Sequence, residues 1–174
     1  MMKRTAAQAI ALLVTATPAC AGMSELRLGL LDHDIGFLGH GKEGGIDVNA
    51  ELLFESPSFL EAVWAPRPHV GLSVNTTGDT SQLYAGLTWT WEPVNRLFVD
   101  VSLGGAVHNG ELSDSSGERK ELGSRVLFRE SLSLGYRLDD RNSLSIYFDH
   151  ESNASLADNN EGLNNLGVRW GYRF

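Results

Sequence analysis

The sequence predicts an all-β protein, an eight-stranded antiparallel transmembrane β-barrel with a filled, polar lumen. The last nine residues, Leu166 to Phe174, alternate large apolar side chains with Gly or Arg, so an extended strand presents one apolar and one polar face. Seven further runs with the same period of two precede them. After the N-terminal segment, no stretch approaches the roughly 18 apolar residues of a spanning helix, and closed β-structure is the alternative that satisfies every backbone group in lipid.

The C-terminal strand carries the clearest signal. Its apolar face ends in Trp170, Tyr172 and Phe174, which would supply the aromatic girdle at the periplasmic interface. This ending resembles the C-terminal strand that bacterial outer-membrane proteins present to their insertion machinery. The alternative interpretation is a half-buried strand of a soluble protein.

The N-terminus predicts export. Lys3 and Arg4 form a basic n-region, a short apolar core follows, and Ala19-Cys20-Ala21 is a small-x-small cleavage site. We therefore divide the chain into a signal peptide, residues 1–21, and one barrel domain, residues 22–174.

Cysteine usage and charge exclude several classes. Cys20 is the only cysteine and leaves with the predicted signal, so no disulfide holds the mature fold. A lipoprotein would have a leucine where Thr17 stands. The formal net charge is −8, and it becomes −10 when Lys3 and Arg4 leave with the signal. Such acidity argues against nucleic acid as a partner.

Each strand is predicted from apolar residues that recur at every second position. The intervening residues are mostly polar or small, as expected for a wall between lipid and a polar lumen. The predicted outward residues are, in chain order, Leu26, Leu28 and Leu30; Ile46, Val48, Ala50, Leu52 and Phe54; Val70, Leu72 and Val74; Leu83, Ala85, Leu87, Trp89 and Trp91; Leu97, Val99, Val101 and Leu103; Val126, Phe128, Leu132, Leu134, Tyr136 and Leu138; Leu144, Ile146 and Phe148; and those of the last strand, after Gly162.

Turn residues separate the eight runs. A Gly-rich loop follows the first strand, and a connection rich in Ser and Pro, from Ser56 to Pro66, follows the second. Thr77-Gly78-Asp79 and Asp139-Asp140-Arg141-Asn142 indicate tight turns, and a charged loop runs from Asn109 to Glu121. No helix is needed, except one turn near Phe59 to Trp64.

A barrel of eight strands is filled by its own side chains, so the sequence does not predict a pore. A soluble lipocalin-like barrel would need the reverse polarity and would place three tryptophans in its cavity. The predicted inward residues, which can form a packed polar core, are Tyr84, Thr88, Asp100, Ser102, Arg125, Arg129, Ser131, Ser133, Arg137 and Tyr147.

Strand seven departs from the apolar pattern. His150 and Ser152 share the face of Ile146 and Phe148, so an imidazole and a hydroxyl project toward the membrane. With a periplasmic C-terminus and an even number of strands, this strand runs outward and places the pair level with the outer leaflet, whose lipid is lipopolysaccharide. A histidine beside a serine is the minimum for an activated nucleophile, because the imidazole removes the hydroxyl proton and later returns it to the leaving group.

A longer motif surrounds this pair: His-x-Ser-Asn-Ala followed by Asn-x-Gly, here His150, Ser152, Asn153, Ala154, Asn160 and Gly162. Through this motif and its layout, the mature chain resembles the outer-membrane lipid A 3-O-deacylases, the PagL-like acyloxyacyl hydrolases. The resemblance implies a cofactor-free serine esterase of the outer membrane that removes an ester-linked acyl chain from lipid A. Ser152 would be the nucleophile and His150 its base. Asn153 and Asn160 would lie near the oxyanion. Ser-Asn-Ala at the edge of a loop can also be a simple turn.

The chain departs from the family at the triad acid, a Glu two residues beyond the glycine, where Asn164 stands. An amide can hold the imidazole by a hydrogen bond, but it cannot stabilise the imidazolium by charge, and loss of that charge in a serine triad costs about 10⁴ in rate. Glu130 interrupts the apolar face of strand six. We hypothesise that Glu130 orients and charges His150, with Asn164 as a neutral neighbour.

The register between strands six and seven decides which residue of the pair lies opposite Glu130. One of the two turn registers open to strands six and seven places Glu130 opposite His150, and the other places it opposite Ser152. The alternative is a β-bulge that turns Glu130 inward to pair with Arg129 or Arg137.

The other polar residues favour structural roles. His108-Asn109-Gly110 indicates a turn, and His69 and Asn75 point into the lumen. The spacing of Asp32, His33 and Asp34 is common in solvated loops, so we expect no metal and no cofactor.

Two function classes therefore compete. The first is the lipid A esterase, with lipopolysaccharide of the outer leaflet as its partner. The second is a catalytically inactive small outer-membrane barrel with a structural or binding role. The family resemblance favours the first class, and Asn164 keeps the second open. The sequence leaves open which acyl position is cleaved, whether activity is latent, and whether the barrel forms a homodimer.

Overall fold

A computed structural model describes residues 22–37 and 40–174. The predicted signal peptide, residues 1–21, and with it Cys20, lie outside the described residues. Within the described ranges, no helix is long and apolar enough to cross a membrane.

The chain forms a closed barrel in which every strand pairs antiparallel with its neighbours in sequence, and the first strand pairs with the last. This confirms the predicted fold class. A single 3-10 helix, Ser58–Val63, lies between the second and third strands, where one helical turn is predicted. The strands are β1 Met23–Asp32, β2 Ile46–Phe54, β3 Arg67–Asn75, β4 Gln82–Val94, β5 Leu97–His108, β6 Val126–Arg137, β7 Asn142–Ser152 and β8 Leu163–Arg173.

The alternation in the sequence becomes the two faces of the wall. In β6 exposed and buried residues alternate without a break over all twelve positions. Leu132 and Leu134 are more than half exposed, whereas Ser131 and Ser133 are buried. This is the polarity of a membrane barrel, with apolar side chains toward lipid and polar ones inside.

The lumen is packed with mutually paired charges. Arg27 lies 2.8 Å from both Glu25 and Asp100, and Arg129 lies 2.9 Å from Asp149. These side chains are almost completely buried. The predicted filled lumen is therefore confirmed, because a buried charge is tolerated only when it is paired and hydrogen-bonded.

The prediction for Arg125 is wrong. Arg125 is exposed and precedes β6, and its guanidinium donates hydrogen bonds to the carbonyl oxygens of Gly110 and His108. The loop before β6 is longer than the sequence indicates because Gly123, at φ +70°, turns the chain shortly before the strand begins.

Four loops gather at one end of the barrel, which we call the loop end: L1 (residues 33–45), L2 (76–81), L3 (109–125) and L4 (153–162). The opposite end, which we call the turn end, carries connections 55–66, 95–96 and 138–141. Ion pairs join the loops across the loop end: Lys42 to Glu161, Arg119 to Glu43, and Lys120 to Asp34.

Candidate active site

His150 and Ser152 lie on the outward face at the loop end of β7. Their neighbours Asp149 and Glu151 are buried in the lumen and contact Arg129, so the register of the pair is fixed by the ion pairs behind it. His150 and Ser152 are both half-buried. They share a cavity of about 340 Å³ lined by His40, Lys120, His150, Ser152, Asn160, Glu161 and Gly162.

Asn164 holds the imidazole. It lies directly opposite His150 in the β7–β8 ladder, and its Oδ1 is 2.7 Å from His150 Nδ1. Because Oδ1 can only accept, Nδ1 carries the hydrogen and Nε2 keeps the free lone pair. That tautomer is the one a general base needs.

Asn164 is fully buried although its position belongs to the outward face. L1 covers it, since the backbone N–H of Ile35 donates to the carbonyl of Asn164 and the backbone N–H of Asp34 donates to Asn165 Oδ1. Phe37 of L1 extends this contact to the barrel wall. Its ring packs edge-on against the ring of Phe148, with the two ring centroids 6.1 Å apart. L1, from the opposite end of the sequence, therefore shields the polar side of the imidazole from water.

Glu130 lies directly opposite His150 in the β6–β7 ladder. The register follows from the turn, in which the N–H of Leu138 donates to the carbonyl of Asn142. β6 has no bulge, and Glu130 is exposed on the outward face, which excludes the inward alternative. Among residues 22–37 and 40–174, no hydrogen bond joins the Glu130 carboxylate to His150.

Gly162 leaves room for the histidine. It adopts φ +39°, and a Cβ there would lie 3.0 Å from His150 Cε1. A side chain at this position would push the imidazole from its place and would also strain the backbone.

The two motif asparagines shape L4. The Asn153 side chain is buried and donates to the carbonyls of Leu122 and Asn159, at 2.8 and 2.5 Å. Asn160 Oδ1 accepts the Asn153 backbone N–H at 2.8 Å, and Asn160 Nδ2 makes only a long bond of 3.3 Å to Ser155. Asn153 therefore braces L4 against L3, while Asn160 lines the cavity and has a weakly engaged amide donor.

Three cavity residues escape the sequence analysis: His40, Lys120 and Glu161. Lys120 is buried, and its ammonium lies 2.6 Å from the His40 carbonyl, 3.3 Å from the Glu161 carbonyl and 3.2 Å from the Asp34 carboxylate. It joins L1, L3 and L4 at the cavity wall. No pattern marks it, because it stands in a charged loop that resembles any solvated loop.

The charges on L1, L3 and L4 stabilise each other. Partial burial opposes ionisation of Glu161, but hydrogen bonds from Lys42 and from the backbone of Glu121 outweigh it and lower the pKa of that carboxyl. Glu161 N–H also donates to the Glu121 carbonyl. The carboxylate thus stays charged and keeps L4 fixed beside the histidine.

A family model described as Lipid A 3-O-deacylase (PagL) matches residues 58–173. The chain belongs to the PagL family. The Lipid A deacylase PagL of Bordetella bronchiseptica is 29% identical over 86 residues, which are 49% of this chain and 44% of that protein. The chain thus matches less than half the length of this curated relative.

Solved structures agree in fold. The outer membrane enzyme PagL superposes with a TM-score of 0.63 at 16% identity, over 87% of this chain and 99% of that chain. Neisserial surface protein A gives 0.55 at 8% identity, over 89% and 98%. Family and fold together identify a bacterial outer-membrane protein.

A second cavity, of about 440 Å³, lies beside this PagL-family motif. Phe128 lines it and stands opposite Ser152 in the β6–β7 ladder. Gly104 and Gly105 of β5 also line it, and because glycine has no side chain they leave this part of the cavity open. It is predominantly apolar, and its lining is Gly104, Gly105, Gly123, Ser124, Val126, Leu127, Phe128, Asn153, Leu156 and Ala157.

Proposed function

We propose that this protein is a cofactor-free serine esterase that hydrolyses an ester-linked acyl chain of lipid A, with its active site facing the outer leaflet. The observation that carries the proposal is the outward pair of His150 and Ser152 in one cavity, with the imidazole hydrogen fixed on Nδ1 by Asn164. Polar groups on the lipid face of a barrel are unfavourable, and chemistry on a membrane ester gives them a reason.

In the first half of the proposed reaction, His150 Nε2 takes the Ser152 hydroxyl proton as Oγ attacks the ester carbonyl carbon. The carbonyl electron pair moves onto oxygen, and the resulting oxyanion collapses to expel the lipid A alcohol, which receives the proton from His150. In the second half, water repeats the same steps on the acyl-serine and releases the fatty acid.

Asn160 is the better placed of the two asparagines to stabilise the oxyanion. Asn160 lines the cavity that holds His150 and Ser152, and its Nδ2 makes a long bond of 3.3 Å to Ser155, so the amide can turn to donate to a developing charge. Asn153 and Gly162 support the site by fixing L4 and the imidazole. Removal of an oxyanion donor typically costs about 10²- to 10³-fold in kcat.

Glu130 is proposed as the carboxylate that stabilises the imidazolium. Directly opposite residues in an antiparallel pair have Cβ atoms roughly 4.5 to 5.5 Å apart, so the carboxylate of Glu130 can reach the ring of His150. Asn164 sets the ring orientation and Glu130 supplies the charge that the amide lacks. The two functions of a triad acid are thus divided between two residues on β6 and β8, the strands on either side of β7.

The apolar cavity beside Ser152 suits the acyl chain. It opens on the outward face between L3 and L4, so an alkyl chain can enter it from the leaflet without crossing water. Lipopolysaccharide is the outer-leaflet lipid with ester-linked chains, which makes lipid A the proposed substrate.

Asn164 in place of a triad Glu also favours a second candidate, a catalytically inactive barrel of the same build. Mass spectrometry of lipid A from cells that express the protein distinguishes the two. We expect loss of one acyl chain with the unchanged protein and none with Ser152→Ala. The matched control is Ser131→Ala, which alters a buried lumen serine on the adjacent strand and should leave deacylation intact. Unchanged lipid A in all three strains would favour the inactive barrel.

A further inference from the structure

The connection between β2 and β3 stands outside the barrel wall. Its 3-10 helix, Ser58–Val63, has no buried residue. Phe59 is 77% exposed, and Trp64, directly after the helix, is 83% exposed. Two large aromatic side chains on a single short connection are thus left without protein cover.

This connection has a defined shape. Trp64 and Ala65 both adopt left-handed conformations, at φ 65° and 47°, which non-glycine residues rarely adopt. Backbone hydrogen bonds hold them there, from Trp64 N–H to the Glu61 carbonyl at 3.2 Å and from Ala65 N–H to the Leu60 carbonyl at 3.0 Å. The chain therefore presents Trp64 outward in a fixed direction.

The connection also lies against the lipid-facing side of the wall. Trp89, an outward residue of β4, donates its indole N–H to the Val63 carbonyl at 2.8 Å. β3 and β4 pair only as far as Arg67 and Thr88, while β4 continues to Val94 beside β5. The helix therefore flanks the part of β4 that has no β3 partner, next to exposed Trp91 and Val94.

We propose that this connection is an interfacial anchor that inserts Phe59 and Trp64 into the phospholipid leaflet at the turn end. The barrel wall it flanks already meets lipid, and the anchor extends that apolar surface sideways. Tryptophan is enriched at membrane interfaces because its ring is apolar and its N–H remains hydrogen-bonded. The one charge of the 3-10 helix is Glu61, so insertion depends on apolar contact and not on attraction to anionic headgroups.

Site-directed fluorescence in phospholipid nanodiscs tests the anchor. Cys20 is the only cysteine, so Phe59→Cys and Trp64→Cys in a Cys20→Ser background each accept one environment-sensitive NBD label. Asp140→Cys, in an exposed turn at the same end of the barrel, is the matched control. We expect labels at 59 and 64 to emit at shorter wavelength than the label at 140. They should be quenched by doxyl-labelled phospholipid and several-fold less by aqueous iodide.

Iodide quenching at 59 and 64 equal to that at 140 would place the connection in water and overturn the proposal. Protection from both quenchers, or energy transfer between labelled chains, would indicate a protein partner or a second copy and would overturn it equally. Two independent label positions keep the test valid if one variant fails to fold, and circular dichroism verifies folding of each. The readout requires no esterase activity, so it stands or falls apart from the proposed function.

Discussion

The polar residues inside the barrel and the polar pair on its outer face, His150 and Ser152, differ in how many hydrogen-bond partners they have. Arg129 in the lumen contacts Tyr147, Asp149 and Glu151 at once. On the outward face, the one side-chain hydrogen bond of His150 within residues 22–37 and 40–174 is to Asn164, through Nδ1, and the imidazole lines the cavity that it shares with Ser152. A guanidinium with three partners holds neighbouring strands together, whereas an imidazole with one bonded nitrogen keeps the second nitrogen available for proton transfer.

The largest expected effect comes from replacing one outward and one lumen histidine with alanine, His150 and His69. His150→Ala should lower the rate of lipid A deacylation by about 10³- to 10⁴-fold, because general base catalysis is lost. His69→Ala is the matched control, since His69 is buried in the lumen and bonded to Thr88 at 2.9 Å. The measurement is fatty acid release from purified lipopolysaccharide. Equal losses in folded His69→Ala and His150→Ala would remove the distinction between the two regions.

Glu130 offers the next test, because it is a charge on the face that should have none. Glu130→Gln should reduce deacylation about as severely as His150→Ala, near the 10⁴-fold expected when a triad loses its charge. Adding Asn164→Glu to Glu130→Gln should restore much of the rate, because the carboxylate returns on the other side of the ring. Full activity in Glu130→Gln alone would refute the assignment.

The strands could be predicted from the sequence because each is a local pattern. β6 shows this well: Leu132 and Leu134 alternate with Ser131 and Ser133, and the structure keeps that alternation to the last residue. A one-residue slip would expose every serine to lipid, so the pattern itself fixes the faces. The prediction for Arg125 is wrong because the same period of two continues into L3 by chance, and no local pattern shows that Gly123 turns the chain before β6 begins.

The candidate site could be predicted only in part. The outward positions of His150 and Ser152 follow from parity, and the register that pairs Glu130 with His150 was one of two that the sequence allowed. The L1 cover over Asn164 and the Lys120 contact with His40 join loops that lie far apart in sequence. Such contacts depend on how the closed barrel gathers its loops, which no local spacing encodes.

Arg129→Met tests the lumen side of the comparison through stability. It leaves Asp149 and Glu151 buried without their cation, which costs about 3 to 5 kcal/mol when one partner of a buried pair is removed. Urea unfolding in lipid vesicles measures the change. Arg141→Met, in an exposed turn, should stay within about 0.5 kcal/mol of the unchanged protein. A small effect for Arg129→Met would show that the lumen charges are not mutually dependent.

The smallest expected effect concerns pH at the loop end, where His33 joins L1 to the barrel. His33 Nδ1 is 3.0 Å from Asp47, and Nε2 is 3.2 Å from Glu43. Burial would lower the pKa of His33, but the hydrogen bonds to Asp47 and then to Glu43 outweigh it and raise the pKa to about 9.

Because the folded-state pKa of His33 exceeds its ordinary value of 6.5, the charged imidazole stabilises L1 fully below pH 6.5, and this stabilisation is lost as the pH rises through about 9. Hydrogen exchange of L1 amides, corrected for the intrinsic pH dependence of exchange, should show the loop opening more often at pH 10 than at pH 6. His33→Gln should abolish that difference, since an amide cannot titrate. Equal loosening of L1 in His33→Gln would assign the effect to another group.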